Sequence, residues 1–303
     1  MIHHTVLETM LFDPSTVEAV RDIAPLWLVV LLTVLSFLGS TFYQVPVLLT
    51  IYWVSARERA ATWLGIVLGS YAFRSLLKHL NDIERPPVDP PIDPAAFPAL
   101  VRPIYTHPAE IATTSFPSGH TLAATVLWGL LVVDTKIATR RTRVAVAGSV
   151  IFTVGLSRVV LGAHYIEDVV AGFLFGVLFL GVALSVRNRS PSPVGATFGL
   201  AGVLSLVVVS FTESTTGSVV LGVSLGALLV WHGRSHLESQ AARQYTLGAG
   251  GVFVIVVALF SSIILELLLV GFLLGILAFW VPCQPRVRTT VTKLPFWRRL
   301  ERR

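Results

Sequence analysis

The stretch SRVVLGAHYIEDVVAGFLFGVLFLGVALSVRNR, residues 157–189, decides how this chain folds. Its second half is an apolar run, read as a membrane span over 167–186 and closed by Arg187 and Arg189. An α-helix needs about 20 such residues to cross the hydrocarbon core. Its first half ends another apolar run, 144–163, and sets Arg158, His164 and Asp168 at the turn between the two. Ionisable side chains at membrane depth are costly and mark functional sites. His164 and Asp168 are four apart, a spacing that lets a carboxylate orient an imidazole on one helical face.

Outward from this stretch the apolar runs recur along the whole chain. Of 303 residues, 54% are hydrophobic and 13% charged, against about 25% charged in a soluble domain. The alternating ten-residue strands of a barrel are absent, and helices are the remaining way to satisfy the backbone in lipid. The expected fold is all-α, a polytopic transmembrane helical bundle. About ten spans are read, over 24–39, 43–56, 60–78, 119–134, 144–163, 167–186, 194–211, 217–232, 246–260 and 263–281. Several lie near the short limit for a crossing, which leaves room for one re-entrant hairpin. No repeat is evident. The polar segment Arg187–Pro193 suggests a division near residue 190, with a six-span chemical core over 1–190 and a four-span extension over 191–303.

The net charge of +6 follows from loop cations that orient a membrane protein, not from a nucleic-acid partner. Alternating loops place Arg57, Arg59, Lys136, Arg140, Arg141, Arg143, Arg187, Arg189, Arg234, Arg243 and the C-terminal cations on one side. Lys78, Arg85, Arg102 and Arg158 fall on the other. Both termini are therefore expected in the cytoplasm, and the chemical residues on the opposite face. The single cysteine, Cys283, allows neither an internal disulfide nor a thiolate metal cluster. Residues 1–23 carry Glu8, Asp13, Glu18 and Asp22 and lack the layout of a cleavable signal.

Two further segments share the outer face. Lys78 ends one span, and Arg85 follows with Pro86, which holds it out of helix. Alone these two cations read as interfacial anchors; on a face poor in cations they also read as anion ligands. Pro117-Ser118-Gly119-His120 opens the next span. Ser118 caps it, Gly119 permits close approach, and the free amides favour an anion. The connecting loop, rich in proline from Pro86 to Pro117, is stiff and irregular, either a lid or a plain connector. Arg74, one turn before Lys78, faces the same pocket or pairs within the bundle. Glu266, inside the last span, has no role legible from sequence.

The set Lys-x6-Arg-Pro, Pro-Ser-Gly-His and Ser-Arg-x5-His-x3-Asp resembles the three-part motif of the type 2 phosphatidic acid phosphatase superfamily. Lys78, Arg85, Pro86, Pro117, Ser118, Gly119, His120, Ser157, Arg158, His164 and Asp168 match it in order and spacing. The resemblance covers roughly residues 24–186. It implies a lipid phosphate or diphosphate phosphatase in which Lys78, Arg85 and Arg158 hold the phosphoryl oxygens, helped by Ser118 and the Gly119 amide. It implies that His164 attacks phosphorus, Asp168 holds its tautomer, and His120 protonates the leaving group and then activates water. Pro86, Pro117 and Ser157 support this set. It implies no metal and no cofactor, with a membrane lipid phosphate as partner and a homo-oligomer as one arrangement. A lipid phosphotransferase would use the same phosphohistidine. A transporter fits the span count, but its usual repeated halves are missing.

Overall fold

The computed structural model describes residues 12–55, 58–96, 102, 105, 114–233 and 263–280. Among them are ten α-helices and no strand. They are α1 (Pro14–Asp22), α2 (Leu26–Ser36), α3 (Thr41–Ser55), α4 (Glu58–Leu80), α5 (Gly119–Asp134), α6 (Arg140–Val160), α7 (Ile166–Arg189), α8 (Pro193–Phe211), α9 (Thr215–Gly233) and α10 (Ile263–Trp280). Short 3₁₀ turns, Phe37–Gly39 and Pro94–Ala96, complete the set.

The helices follow the apolar runs, with differences that have local causes. The run expected to begin at residue 24 is preceded by α1, an amphipathic helix of about two and a half turns whose Val17 is buried while Glu18 and Asp22 are exposed. Asp13 caps α1 by accepting from the Ser15 amide at 2.9 Å, and Pro14 sits at N1, where its missing N–H costs nothing. Pro25 is extended and cannot continue that helix. The chain therefore bends by 116° between Pro14–Asp22 and Leu26–Gly39.

Five described helices, α4, α6, α7, α8 and α9, are long and apolar enough to cross a membrane, and the bent α1–α2 pair makes a sixth if it is one span. Helices α2, α3 and α5 have 11, 15 and 16 residues, short of the ~20 of a typical crossing. Nine of the ten expected runs thus carry helices of unequal length among the described residues, and α1 is an addition to them. The expected span at 246–260, Cys283 and the C-terminal cations lie outside the described residues, and so does the Glu266 side chain.

Two compact units emerge, Met1–Gln44 with Leu76–Gly181, and Val45–Ser75 with Val182–Arg303. In the first, α6 packs against α2 and α5. Val29, Leu32, Tyr105, Val160 and Leu161 form a buried cluster there. Helix α7 crosses the start of α5 at Gly172, where an added Cβ would lie 2.6 Å from the Ser118 carbonyl oxygen. Gly172→Ala is expected to destabilise the protein by about 1–3 kcal/mol, the usual cost of overpacking, and to shift the Ser118 cap. Thermal unfolding in detergent checks this; an unchanged midpoint counts against it.

In the second unit, α8, α9 and α10 pack together, and the end of α3 and the body of α4 are held by polar and close contacts. Ser75 Oγ and Ser214 Oγ share a hydrogen bond at 2.7 Å. Trp53 Nε1 donates to the Ala278 carbonyl at 2.8 Å. Gly65 leaves no room for a Cβ beside Thr197. An apolar window of α4 is 78% buried, the highest share among the five long helices.

Candidate active site

Helix α6 delivers Arg158 in its last turn, wholly buried at 0% exposure. The helix then stops at Gly162, whose φ of +71° is open to glycine at little cost. The amides of Ala163 and His164 fold back onto the Arg158 carbonyl at 3.0 and 3.2 Å. This reversal sets His164 just before α7, which carries Asp168 in its first turn.

The pair is close and dry. His164 Nδ1 lies 3.1 Å from Asp168 Oδ2, with side-chain exposures of 1% and 0%. The same oxygen accepts the Tyr165 amide at 2.9 Å and the Ser115 hydroxyl. A carboxylate oxygen beside Nδ1 favours the tautomer with its proton there, leaving Nε2 as a lone-pair nitrogen. Nε2 faces Arg85 Nη1 at 3.4 Å.

The cations arrive from three elements. Lys78, at the end of α4, donates through Nζ to the carbonyls of Thr114 and Ser115, and Thr114 Oγ1 donates back to the Lys78 carbonyl at 3.2 Å. Arg85, in the irregular loop before buried Pro86, donates to the Ala163 carbonyl. Arg158 comes from α6. Burial holds the His164 imidazole well below the usual histidine range, and Arg85, Arg158, Lys78 and His120 push the same way. Burial also lowers Arg85 to about 10, against the pull of Asp168. His164 is therefore neutral at neutral pH, while Arg85 keeps its charge.

The Pro117–His120 segment joins through the backbone. The Ser118 amide donates to the Asp168 carbonyl at 2.9 Å. Ser118 Oγ caps α5 by accepting from the Thr121 amide at 3.5 Å and lies 3.0 Å from Thr121 Oγ1. Gly119 is the first residue of α5 and His120 the second, both buried. Buried Pro117 follows a cis bond from Phe116.

Lys78, Arg85, Ser118, Gly119, His120, Arg158, His164 and Asp168 thus lie within one compact unit. Ser157 points elsewhere, since its hydroxyl donates to the Val154 carbonyl at 2.6 Å. Arg74 lies over the Tyr71 ring, 5.5 Å from its centroid.

Sequence reasoning passed over Ser115, Thr114 and an aromatic patch. Phe12 packs edge-on against Tyr165 at 5.3 Å and Phe116 at 6.2 Å, and Phe116 against Phe175 at 6.2 Å. Thr114 and Ser115 carry no periodic signal; their closeness to Pro117 was the available clue.

A neutral, oriented imidazole ringed by cations is equipped to receive an anionic, electrophilic group. By its helices the chain is an all-α, multi-pass membrane protein. Residues 59–192 match the family described as the PAP2 superfamily. It is 29% identical over 177 residues to phosphatidylglycerophosphatase B of Bacillus subtilis (strain 168), covering 54% of this chain and 79% of that protein. It is 30% identical over 113 residues to an uncharacterised 22.5 kDa protein in the cps region of Klebsiella pneumoniae, covering 36% of this chain and 54% of that one. Among solved structures, the transmembrane PAP2 type phosphatidylglycerolphosphate phosphatase from Bacillus subtilis aligns with a TM-score of 0.48 and 22% identity, over 58% of this chain and 85% of that one.

Proposed function

We propose that this protein is an integral membrane, metal-independent lipid phosphate phosphatase acting through a phosphohistidine. The chain is a phosphoric ester hydrolase by its PAP2 domain and its homology to phosphatidylglycerophosphatase B. The observation that carries the mechanism is the buried His164–Asp168 pair at 3.1 Å, with Nε2 turned toward Arg85.

In the first step the Nε2 lone pair forms a bond to phosphorus, and the P–O bond to the lipid alkoxide breaks. His120 gives that oxygen its proton and the lipid alcohol leaves. Lys78, Arg85 and Arg158, with Ser118 and the Gly119 amide, hold the phosphoryl oxygens as charge develops. Asp168 keeps Nδ1–H aimed and stabilises the imidazole as its nitrogen becomes a phosphoramidate. In the second step His120 takes a proton from water, the hydroxyl attacks phosphorus, and the P–N bond breaks to give inorganic phosphate. Three guanidinium and ammonium groups supply the positive charge that a metal would otherwise bring.

The loop cations support cytoplasmic termini and a site on the extracytoplasmic face. Helix ends at headgroup level suit a phosphate whose tails stay in the bilayer. A glycerophosphate-headed lipid is the leading substrate, because the Bacillus relative is named for one. Residues 1–190 are proposed as the phosphatase core and 191–303 as a scaffold for it.

The test is phosphate release by the purified full chain in detergent with EDTA. The panel is phosphatidic acid, phosphatidylglycerophosphate, a polyprenyl diphosphate and glucose 6-phosphate. Release from a lipid member that survives EDTA is expected. Release only with an added acceptor alcohol would replace the hydrolase reading by a phosphotransferase; loss of release with EDTA would end the metal-free one.

A further inference from the structure

We propose that Ser115 is a positioning residue that holds the Asp168 carboxylate and, through it, sets the pH at which His164 takes up a proton; this rests on the phosphohistidine reading above. Ser115 lies outside the three motifs, yet it is wholly buried and touches both members of the pair. Its hydroxyl donates to Asp168 Oδ2 and sits 3.3 Å from His164 Nδ1. Its own backbone is fixed at both ends: the amide donates to the Ile83 carbonyl at 2.7 Å, and the carbonyl accepts from Lys78 Nζ at 3.3 Å. Ser115 therefore ties the helix end that carries Lys78 to the turn that carries the histidine.

The chemistry follows from donors around one oxygen. Asp168 Oδ2 is approached by His164 Nδ1, the Tyr165 amide and the Ser115 hydroxyl. Each donor takes a share of the carboxylate charge, so each weakens the pull on the others. Without the hydroxyl, more charge faces the imidazole and its protonated form gains. The groups that oppose protonation remain: Lys78 from α4, Arg85 from the loop, His120 from α5 and Arg158 from α6. The pair then takes up its proton at higher pH, and less of the enzyme holds a neutral nucleophile under mildly acid conditions.

Two readouts test this on the full chain in detergent. The first needs no substrate: ¹⁵N-histidine NMR titration, with the His164 signal assigned by its absence in His164→Gln. The second is the pH profile of kcat/KM with phosphatidic acid. For Ser115→Ala the titration and the acid limb are expected to move up together by about one pH unit, the size of a hydrogen bond to a charged group. Ser115→Thr, which keeps the hydroxyl, returns both toward wild type. If Ser115→Ala fails to fold, Ser115→Cys retains the volume with a weaker donor, and an intermediate upward shift is expected. A folded alanine or cysteine variant with unchanged titration overturns the proposal, whatever its rate. A wild type that hydrolyses no lipid overturns the phosphatase reading alone, because the NMR shift stands without it.

Discussion

His164→Ala lowers phosphate release by at least about four orders of magnitude, the scale at which removal of a covalent nucleophile is felt. The variant removes the nitrogen proposed to form the P–N bond, while Asp168 keeps the Tyr165 amide and the Ser115 hydroxyl as partners. The fold is therefore expected to survive, with an elution profile like that of wild type. A truncated imidazole leaves Arg85, Lys78 and Arg158 in place, so lipid phosphate still binds while turnover stops. Quenching with labelled lipid gives the direct check: wild type retains acid-labile, alkali-stable phosphate, and the variant retains none. Label on the alanine variant would move the nucleophile to another residue.

Removing residues 191–303 is expected to cost the protein its folded state. Helix α4 is the most buried of the five long helices, and the partners of its Gly65 and Ser75 lie beyond residue 190. Truncation strips Thr197 from Gly65, Ser214 from Ser75, and Ala278 from Trp53. The two buried contacts, at Gly65 and Ser75, contribute roughly 1–3 kcal/mol each, and the exposed Trp53 hydrogen bond less, against a typical net stability of ~5–15 kcal/mol. The truncated chain should therefore aggregate on gel filtration in detergent. A monodisperse, fully active fragment would show that the extension is dispensable.

What could be read in the sequence was whatever is local. His164 and Asp168 meet because they are four apart, and Ser118 caps α5 because it directly precedes it. Gly162 stops α6 where the run SRVVLGAH changes character. Apolar length marked where helices lie, but it could not say which cross: α2 and α5 are apolar yet short, being cut by Phe37–Gly39 and by the Asp134–Thr139 turn. Helix α1 escaped notice because nine residues of mixed polarity give no span signal, and the bend at Pro25 is visible only as one proline. Ser115 was invisible for a different reason. Its partner is 53 residues away, and nothing in a loop serine announces a reach of that kind.

The way the site closes also bears on biogenesis. The His164–Asp168 pair is self-contained within five residues, but everything that would hold a phosphate against it was made earlier in the chain. As the polypeptide leaves the ribosome, Lys78 and the Ser118 amide precede the Asp168 groups that complete the site, including the carbonyl that the Ser118 amide uses. Until α7 has entered beside α5 at Gly172, the residues proposed to hold the phosphate stay apart from the completed His164–Asp168 pair. On the proposed reading a half-inserted chain is expected to be silent toward the lipids around it, and competence waits both for α7 and for the later helices that the fold requires.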